Sequence, residues 1–329
     1  MQAIVLVGGE GTRLRPLTDD VPKPALTLVD RPFLAYMIEW LAGHGVTEAV
    51  LACGFLPDVL REALGDGERA GVRLTYVTEP DRRGTAGAIR FAADEAGIDD
   101  TFVVANGDIL TDLDVGALVE FHRARQAQAT IHLIPVDDPS SFGVVALDDA
   151  GLVERFVEKP APGTAPSNLI NAGTYVLEAS VLARIPALRK SSIERVTFPA
   201  IAADRGLFAM ATEDAWIDTG RPELYLQANL DELDRDPAAG VHAGANVSTD
   251  ATIEHSVIGP RALVARGALV ERSVVLPDAV IGANAVVRDS VVMGTVGPGA
   301  WVERCVLGAR GVIAADERVA DERRPAPEG

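Results

Sequence analysis

Three glycines, two arginines and a proline follow the apolar run AIVLV: the stretch GGEGTRLRPLT extends from Gly8 to Thr18. Glycine opens backbone conformations closed to other residues and lets another group approach the main chain closely. A loop rich in free backbone N–H groups suits an anion, above all a phosphate. The next cation, Lys23, sits in VPKP between two prolines, which fix φ and stiffen the segment that carries it. A stiff loop bearing a point cation beside such glycines is suited to a polyphosphate. The residue order excludes two familiar phosphate loops. A P-loop needs G-x-x-x-x-G-K-[ST], and no Lys-Ser/Thr pair follows these glycines. A dinucleotide fingerprint needs G-x-G-x-x-G, and after Gly9 and Gly11 the third position falls on Leu14. Taken alone, the stretch also fits a glycine-rich turn with solvated arginines.

The elements that must position these groups alternate over the first two-thirds of the chain. AIVLV (3–7), AVLACG (49–54), LTYVT (74–78) and TFVVANGD (101–108) read as strands. RPFLAYMIEWLAGHG (31–45) and AGAIRFAADEAG (86–97) carry apolar residues at helical spacing and stop at glycines. Strand, helix, strand in this order implies a Rossmann-like α/β fold, a mostly parallel sheet with helices on both faces. Ligands bind at the carboxyl ends of such strands, where the glycine-rich stretch and NGD (106–108) both fall. From about residue 130 the pattern becomes strands without regular helices between them: TIHLIPV, GVVALD, LVERFVE and AGTYVLE. An added or mixed sheet layer covering the site is expected there. A helical segment over 191–206 and a helix starting near Pro222 follow.

Beyond a linker at 236–246 the texture changes. EHSVIGPRALVARGALV (254–270) is followed in register by ERSVVLPDAVIGANAVV (271–287), both 17 residues long, then by the 15-residue RDSVVMGTVGPGAWV (288–302) and by ERCVLG (303–308). Aliphatic residues recur about every six positions, as at Ile258, Val264 and Val270. Fixed-period self-similarity means stacked units sharing one core. The hexapeptide period resembles a left-handed parallel β-helix, here of about four coils, over 247–314. The charged, Pro-rich stretch 315–329 is expected to be poorly ordered. The domains read as 1–235, the linker, the β-helix and that tail.

The 329 residues hold 48 acidic and 30 basic side chains, a formal −18. Such a surface repels a polyanion, so no nucleic-acid partner is expected, and phosphate binding must be local. No apolar run reaches the roughly 20 residues that span a bilayer, and no secretory signal opens the chain, so no membrane partner is expected. Cys53 and Cys305 sit in unrelated contexts and fit a reducing compartment. A cytoplasmic protein is the expectation.

GGEGTRLRPLT followed by VPKP resembles the signature of the sugar-1-phosphate nucleotidyltransferases, the nucleotide-sugar pyrophosphorylases. GTAGA (84–88), NGD, FG (142–143), VEKP (157–160), NAGTYV (171–176) and WIDTG (216–220) match the family in the same order, over about residues 2–233. The resemblance implies that a sugar 1-phosphate oxygen attacks the α-phosphorus of a nucleoside triphosphate and expels pyrophosphate. Two polyanions must meet, so charge neutralisation and positioning would supply most of the catalysis. By the same resemblance Leu6, Gly8, Gly9, Gly11, Thr12, Arg13, Gly84 and Thr85 bind the nucleotide. Lys23 stabilises charge at the α-phosphate. Asp108 and Asp218 hold Mg²⁺, a hard ion bound through one or two carboxylates plus phosphates and water. Lys159 holds the sugar phosphate, Glu158 reads sugar hydroxyls, and Asn171, Gly143 and Gly173 complete the sugar pocket.

Thymidylyltransferases of the glucose branch carry Gln at the place of Gly87, so this chain departs from that pattern. Together with the β-helix it looks most like the mannose-1-phosphate guanylyltransferases, which implies GTP and mannose 1-phosphate as substrates. Three readings compete with that one: a glucose-1-phosphate thymidylyl- or uridylyltransferase, a non-catalytic regulatory homologue, and a bifunctional acyltransferase. The retained Arg13, Lys23, Asp108 and Asp218 argue against the second. A β-helix short for an acyl-donor site argues against the third and fits assembly into a homo-oligomer. His44, His122, His132, His242 and His255 show no metal-ligand spacing and read as structural.

Overall fold

Continuous apolar runs become strands buried on both faces, and here they form the centre of one sheet. The structure, a computed structural model, describes residues 1–54, 57–187 and 189–326, so the last three residues of the expected tail lie outside it. The chain divides into two compact units, one of residues 1–9 and 37–216, the other of residues 10–36 and 217–329. The break falls inside the glycine-rich stretch, after Gly9.

Among the described residues the main sheet of the first unit has nine strands: β1 (Gln2–Val7), β2 (Glu48–Cys53), β3 (Arg73–Thr78), β4 (Phe102–Asn106), β5 (Ala129–Pro135), β6 (Gly143–Leu147), β7 (Val153–Glu158), β8 (Leu169–Leu177) and β9 (Leu207–Ala211). Their order is β7-β6-β8-β4-β1-β2-β3, with β5 on β8 and β9 on β5. The β4-β1-β2-β3 block is parallel and β8 runs antiparallel to β4. The strands after residue 130 therefore extend the same mixed sheet. They are not an added layer covering it, because β8 pairs directly with the central β4.

Between them run helices α1 (Phe33–Gly43), α2 (Pro57–Leu64), α3 (Gly84–Ala96), α4 (Val115–Ala124) and α5 (Phe198–Ala203). Ala86, Ile89, Ala92 and Ala93 of α3 share one core with Ile4, Val50, Phe102 and Val104, the alternate residues of the central strands. Asp114 caps α4, its carboxylate accepting from the Ala117 N–H at 3.0 Å. The expected single helix over 191–206 is instead a π-helical turn at Ile193–Thr197 followed by α5. Pro199, which lacks an N–H, sits at that junction.

The second unit holds α6 (Pro222–Arg235) and three parallel sheets of five short strands each. Successive coils stack in register, Val257 on Val274 on Val291 on Val306 on Arg323. This is a parallel β-helix of five coils rather than about four. The fifth uses residues expected to be poorly ordered, in the strands Arg318–Ala320 and Arg323–Arg324. Within the linker range, Pro237–Gly240 makes a helical turn and Val241 bridges Ile258. Val264, Val270, Val287, Val302 and Leu307 line the core with their neighbours. Each such buried aliphatic contributes about 1.5–3 kcal/mol relative to exposure. Ser256, Ser273 and Ser290 climb one corner, each hydroxyl accepting the backbone N–H of the next coil at 3.0–3.1 Å. The coil shortened to 15 residues turns at Gly294, where a Cβ would lie 2.1 Å from the Gly311 carbonyl.

Candidate active site

Loop residues of the second unit gather the expected catalytic cations around one carboxylate. Gly11 takes φ +63°, and a Cβ there would press on Thr18 and Lys23 at 3.1 and 3.3 Å. Its carbonyl accepts from the Thr18 hydroxyl and the Leu14 N–H, both at 2.8 Å, which closes the loop on itself. Thr12, Arg13 and Leu14 then form a 3-10 turn. Lys23 opens a second 3-10 turn after Pro22. Lys23 is only 6% exposed, and a buried ammonium persists only where it is paired. Its Nζ lies 3.8 Å from Asp218 Oδ1, and the guanidinium of Arg13, 59% exposed, lies 3.8 Å from Asp218 Oδ2. Gly220 donates its N–H to Asp218 Oδ1 at 2.8 Å, and a Cβ on it would lie 2.5 Å from the Arg13 guanidinium. The glycine of WIDTG thus leaves the Arg13 guanidinium and the Asp218 carboxylate undisturbed where they meet.

In the first unit the expected residues stand at strand ends. Leu6 of β1 pairs with Asn106 of β4. The Leu6 carbonyl accepts the Gly107 N–H at 2.9 Å, and a Cβ on Gly107 would lie 2.8 Å from that carbonyl and 2.5 Å from Val7. Only glycine fits there, and Asp108 follows it directly. Gly8 packs against Gly54, whose Cβ would meet the Gly8 carbonyl at 2.9 Å. Gly9 has open space where a Cβ would go.

The residues expected to form the sugar pocket are drawn together by β6, β7 and β8. A Cβ on Gly143 would lie 3.0 Å from Glu158 Oε2. Burial, joined by the nearby Glu194 carboxylate, raises the Glu158 carboxyl above its ordinary range, against the pull of Lys159 and Arg195. Lys159 stands at φ +52° with its N–H bonded to the Phe142 carbonyl at 2.9 Å. Asn171 and Gly173 serve a bulge in β8: Asn171 Oδ1 accepts the Gly173 N–H and its Nδ2 donates to the Tyr175 hydroxyl, both at 3.0 Å. A Cβ on Gly173, at φ +82°, would collide with the Asn106 amide at 2.6 Å. Tyr175 is fully buried, and burial raises its hydroxyl far above the usual range, helped by Glu194, Glu158 and Asp108. Those three carboxylates all act in the same direction on this one hydroxyl.

Gly84 and Thr85 open α3 against the segment 191–194. The Ser191 carbonyl accepts the Ala86 N–H at 3.0 Å, and the Thr85 hydroxyl donates to Glu194 at 2.7 Å while accepting the Ile193 N–H at 2.9 Å. The Ala86 N–H and the Thr85 hydroxyl are therefore engaged within the protein. Glu194 and Arg195 were not singled out by the sequence pattern, yet both act on Glu158. The only signal for them was their place in the charged run ERV. A Cβ on Gly87 would meet Arg83 Cβ at 2.5 Å, which leaves no room for a side chain.

The histidines are accounted for within the fold. His122 bonds Thr130 and Glu178, His132 bonds Thr212, His255 meets Asp234, His44 bonds the Trp40 carbonyl, and His242 accepts the Gly244 N–H. Among the described residues no three His, Cys, Asp or Glu side chains cluster as a metal site. No helix of the described residues is long and apolar enough to cross a membrane.

The nucleotidyl transferase family model matches residues 2–235, and a model described as the GMPPB C-terminal domain matches 236–324. A probable mannose-1-phosphate guanylyltransferase 1 of Oryza sativa subsp. japonica is 43% identical over 80% of this chain and 74% of its own. A mannose-1-phosphate guanylyltransferase of Mycobacterium tuberculosis is 38% identical over 81% and 74%. Among solved structures, a putative glucose-1-phosphate thymidylyltransferase from Bacillus anthracis superposes with TM-score 0.64 at 27% identity, covering 72% of this chain and 96% of that one. HddC from Yersinia pseudotuberculosis, complexed with GMP-PN, gives 0.60 at 28% identity, covering 70% and 99%.

Proposed function

The chain belongs to the nucleotidyl transferase family, and we propose that it joins GTP to mannose 1-phosphate, giving GDP-mannose and pyrophosphate. The observation that carries this reading is the retained Arg13–Asp218–Lys23 cluster in a chain about 40% identical to proteins named for that reaction. A phosphate oxygen of mannose 1-phosphate forms the new bond to the α-phosphorus of GTP. The bond from that phosphorus to the oxygen bridging to the β-phosphate breaks, and pyrophosphate leaves with the electron pair. No covalent intermediate on the protein is needed.

The chain's own residues then act by charge and position. The backbone of Leu6, Gly8, Gly9, Gly11 and Thr12, with Arg13 and the Gly84–Thr85 turn, holds the nucleotide. Lys23, buried and stiffened by its prolines, sets a positive charge at the α-phosphate. Lys159 holds the sugar phosphate, and Glu158 with Gly143, Asn171 and Gly173 receives the sugar. The cation we assign is Mg²⁺. Asp218 suits such an ion as a hard oxygen donor: Oδ1 already accepts the Gly220 N–H, and Oδ2 stands 3.8 Å from Arg13, beyond a direct hydrogen bond. Asp108 is the second carboxylate. When bound, the ion would neutralise phosphate charge and leave most of its positions to phosphate oxygens and water. We place the enzyme in the cytoplasm, as a homo-oligomer; both of its cysteines are buried and unpaired.

The glucose-1-phosphate thymidylyltransferase reading draws on the neighbour from Bacillus anthracis, but the lack of space at Gly87 speaks against the glutamine of that branch. Pyrophosphate release should be followed for four nucleoside triphosphates against several sugar 1-phosphates. GTP with mannose 1-phosphate is expected to be fastest. A faster dTTP or UTP reaction with glucose 1-phosphate would replace this reading by the other, and silence with every pair would leave a non-catalytic homologue.

A further inference from the structure

The last two coils of the β-helix reach back to the loop that carries Arg13. Arg323, in the strand Arg323–Arg324, donates from one guanidinium nitrogen to the backbone carbonyls of Arg13 at 2.9 Å and Arg15 at 3.2 Å. One coil earlier, Gly308 is pressed against Pro16: a Cβ there would lie 2.7 Å from the Pro16 carbonyl and 2.8 Å from its Cβ. Arg310 stands 3.9 Å from Asp19 and 3.7 Å from Asp20. Three contacts from the fourth and fifth coils thus seat residues 13–20.

The Arg323 bonds differ in kind from the exposed ion pairs of the β-helix, those of Arg310 included. A carbonyl has fixed direction, and a charged donor to it makes one of the stronger hydrogen bonds in proteins. The acceptors are the carbonyls of the middle residue of the 3-10 turn Thr12–Leu14 and of its C-cap, Arg15. Holding the peptide planes at Arg13 and Arg15 fixes the backbone from which the Arg13 side chain departs. Arg323 also lies 4.0 Å from Glu223 in the first turn of α6, the helix that follows Asp218 and Gly220. The coil is itself held, since Arg324 pairs with Glu317 and Glu322 at 2.8 Å each.

We infer that Arg323 is a positioning residue for nucleotide binding, holding the Arg13 loop in its triphosphate-binding form from the final coil of the β-helix. The inference rests on the nucleotidyl-transfer reading above. The full chain should be compared with Arg323→Ala, Arg323→Lys, Gly308→Ala and Glu223→Gln, measuring GTP affinity by calorimetry, both KM values, kcat and Tm. Arg323→Ala is expected to weaken GTP binding and raise its KM roughly tenfold, the worth of one charged hydrogen bond. The KM for mannose 1-phosphate should hold and kcat should stay within about threefold. Arg323→Lys should recover part of the loss. Gly308→Ala, which pushes on Pro16 from the same side, should move GTP affinity in the same direction. Glu223→Gln should behave as wild type. Unchanged GTP affinity in Arg323→Ala and Gly308→Ala overturns the inference, and so do equal losses for both substrates tracking a fall in Tm. A wild-type protein that binds GTP but releases no pyrophosphate overturns the assigned reaction alone. One that does not bind GTP overturns both.

Discussion

Arg13, Lys23 and Asp218 stand on two 3-10 turns and a three-residue strand, while Glu158, Asn171 and Gly173 stand in strands of six and nine residues. The first group has little regular backbone to hold it. Its geometry comes from side-chain contacts and from glycines that keep space open, such as Gly11 and Gly220. The second group inherits its geometry from ladder hydrogen bonds, with one bulge re-aiming Asn171. The cationic group should therefore be sensitive to single side chains, and the strand-borne group to changes in the sheet beneath it.

The largest effect that would break this contrast is expected at Lys23. Lys23→Ala removes a buried charge that faces Asp218, and kcat should fall by at least about a hundredfold. A fall of less than tenfold would mean that the cationic group does not depend on its individual side chains. The next largest tests the sheet. Burial pushes His132, in β5, down to about 4, below an ordinary value near 6.5. Between those values the unfolded chain binds a proton that the folded chain refuses, so stability falls as pH drops from 6.5 through about 4. The loss should reach about 3 kcal/mol, and it should shrink in His132→Gln, as read from denaturant unfolding at pH 7 and pH 4. A smaller effect, about 1–2 kcal/mol, is expected for Ser290→Ala, which orphans the Cys305 N–H inside the β-helix. Arg261→Ala should leave Tm unchanged, because its pair with Asp278 is exposed. A clear drop there would show that the corner ion pairs hold the coils together.

Much of this was legible in the chain, for reasons that differ between the regions. AIVLV, AVLACG, LTYVT and TFVVANGD announced strands because burial on both faces leaves no polar alternation. The β-helix announced itself through repetition, since each coil meets the same neighbours. Its fifth coil was hidden because only Val319 points inward amid ERVADERR, and one aliphatic among charges carries no pattern. The pairing of β8 with β4 joins residues some 70 apart, and no local signal encodes it. Helix α4 was missed although Asp114 supplied a capping signal. The motifs named Arg13, Lys23, Asp108 and Asp218, but not that Asp218 lies within 4 Å of both cations, nor that Arg323 touches the same loop.

GDP-mannose formation from GTP and mannose 1-phosphate, with Mg²⁺ present or chelated, in the wild-type chain and in Asp108→Asn and Asp218→Asn, tests the account most directly. It predicts product only from the wild type with the cation, and folded but inactive variants. Undiminished turnover after chelation, or in either variant, would contradict it.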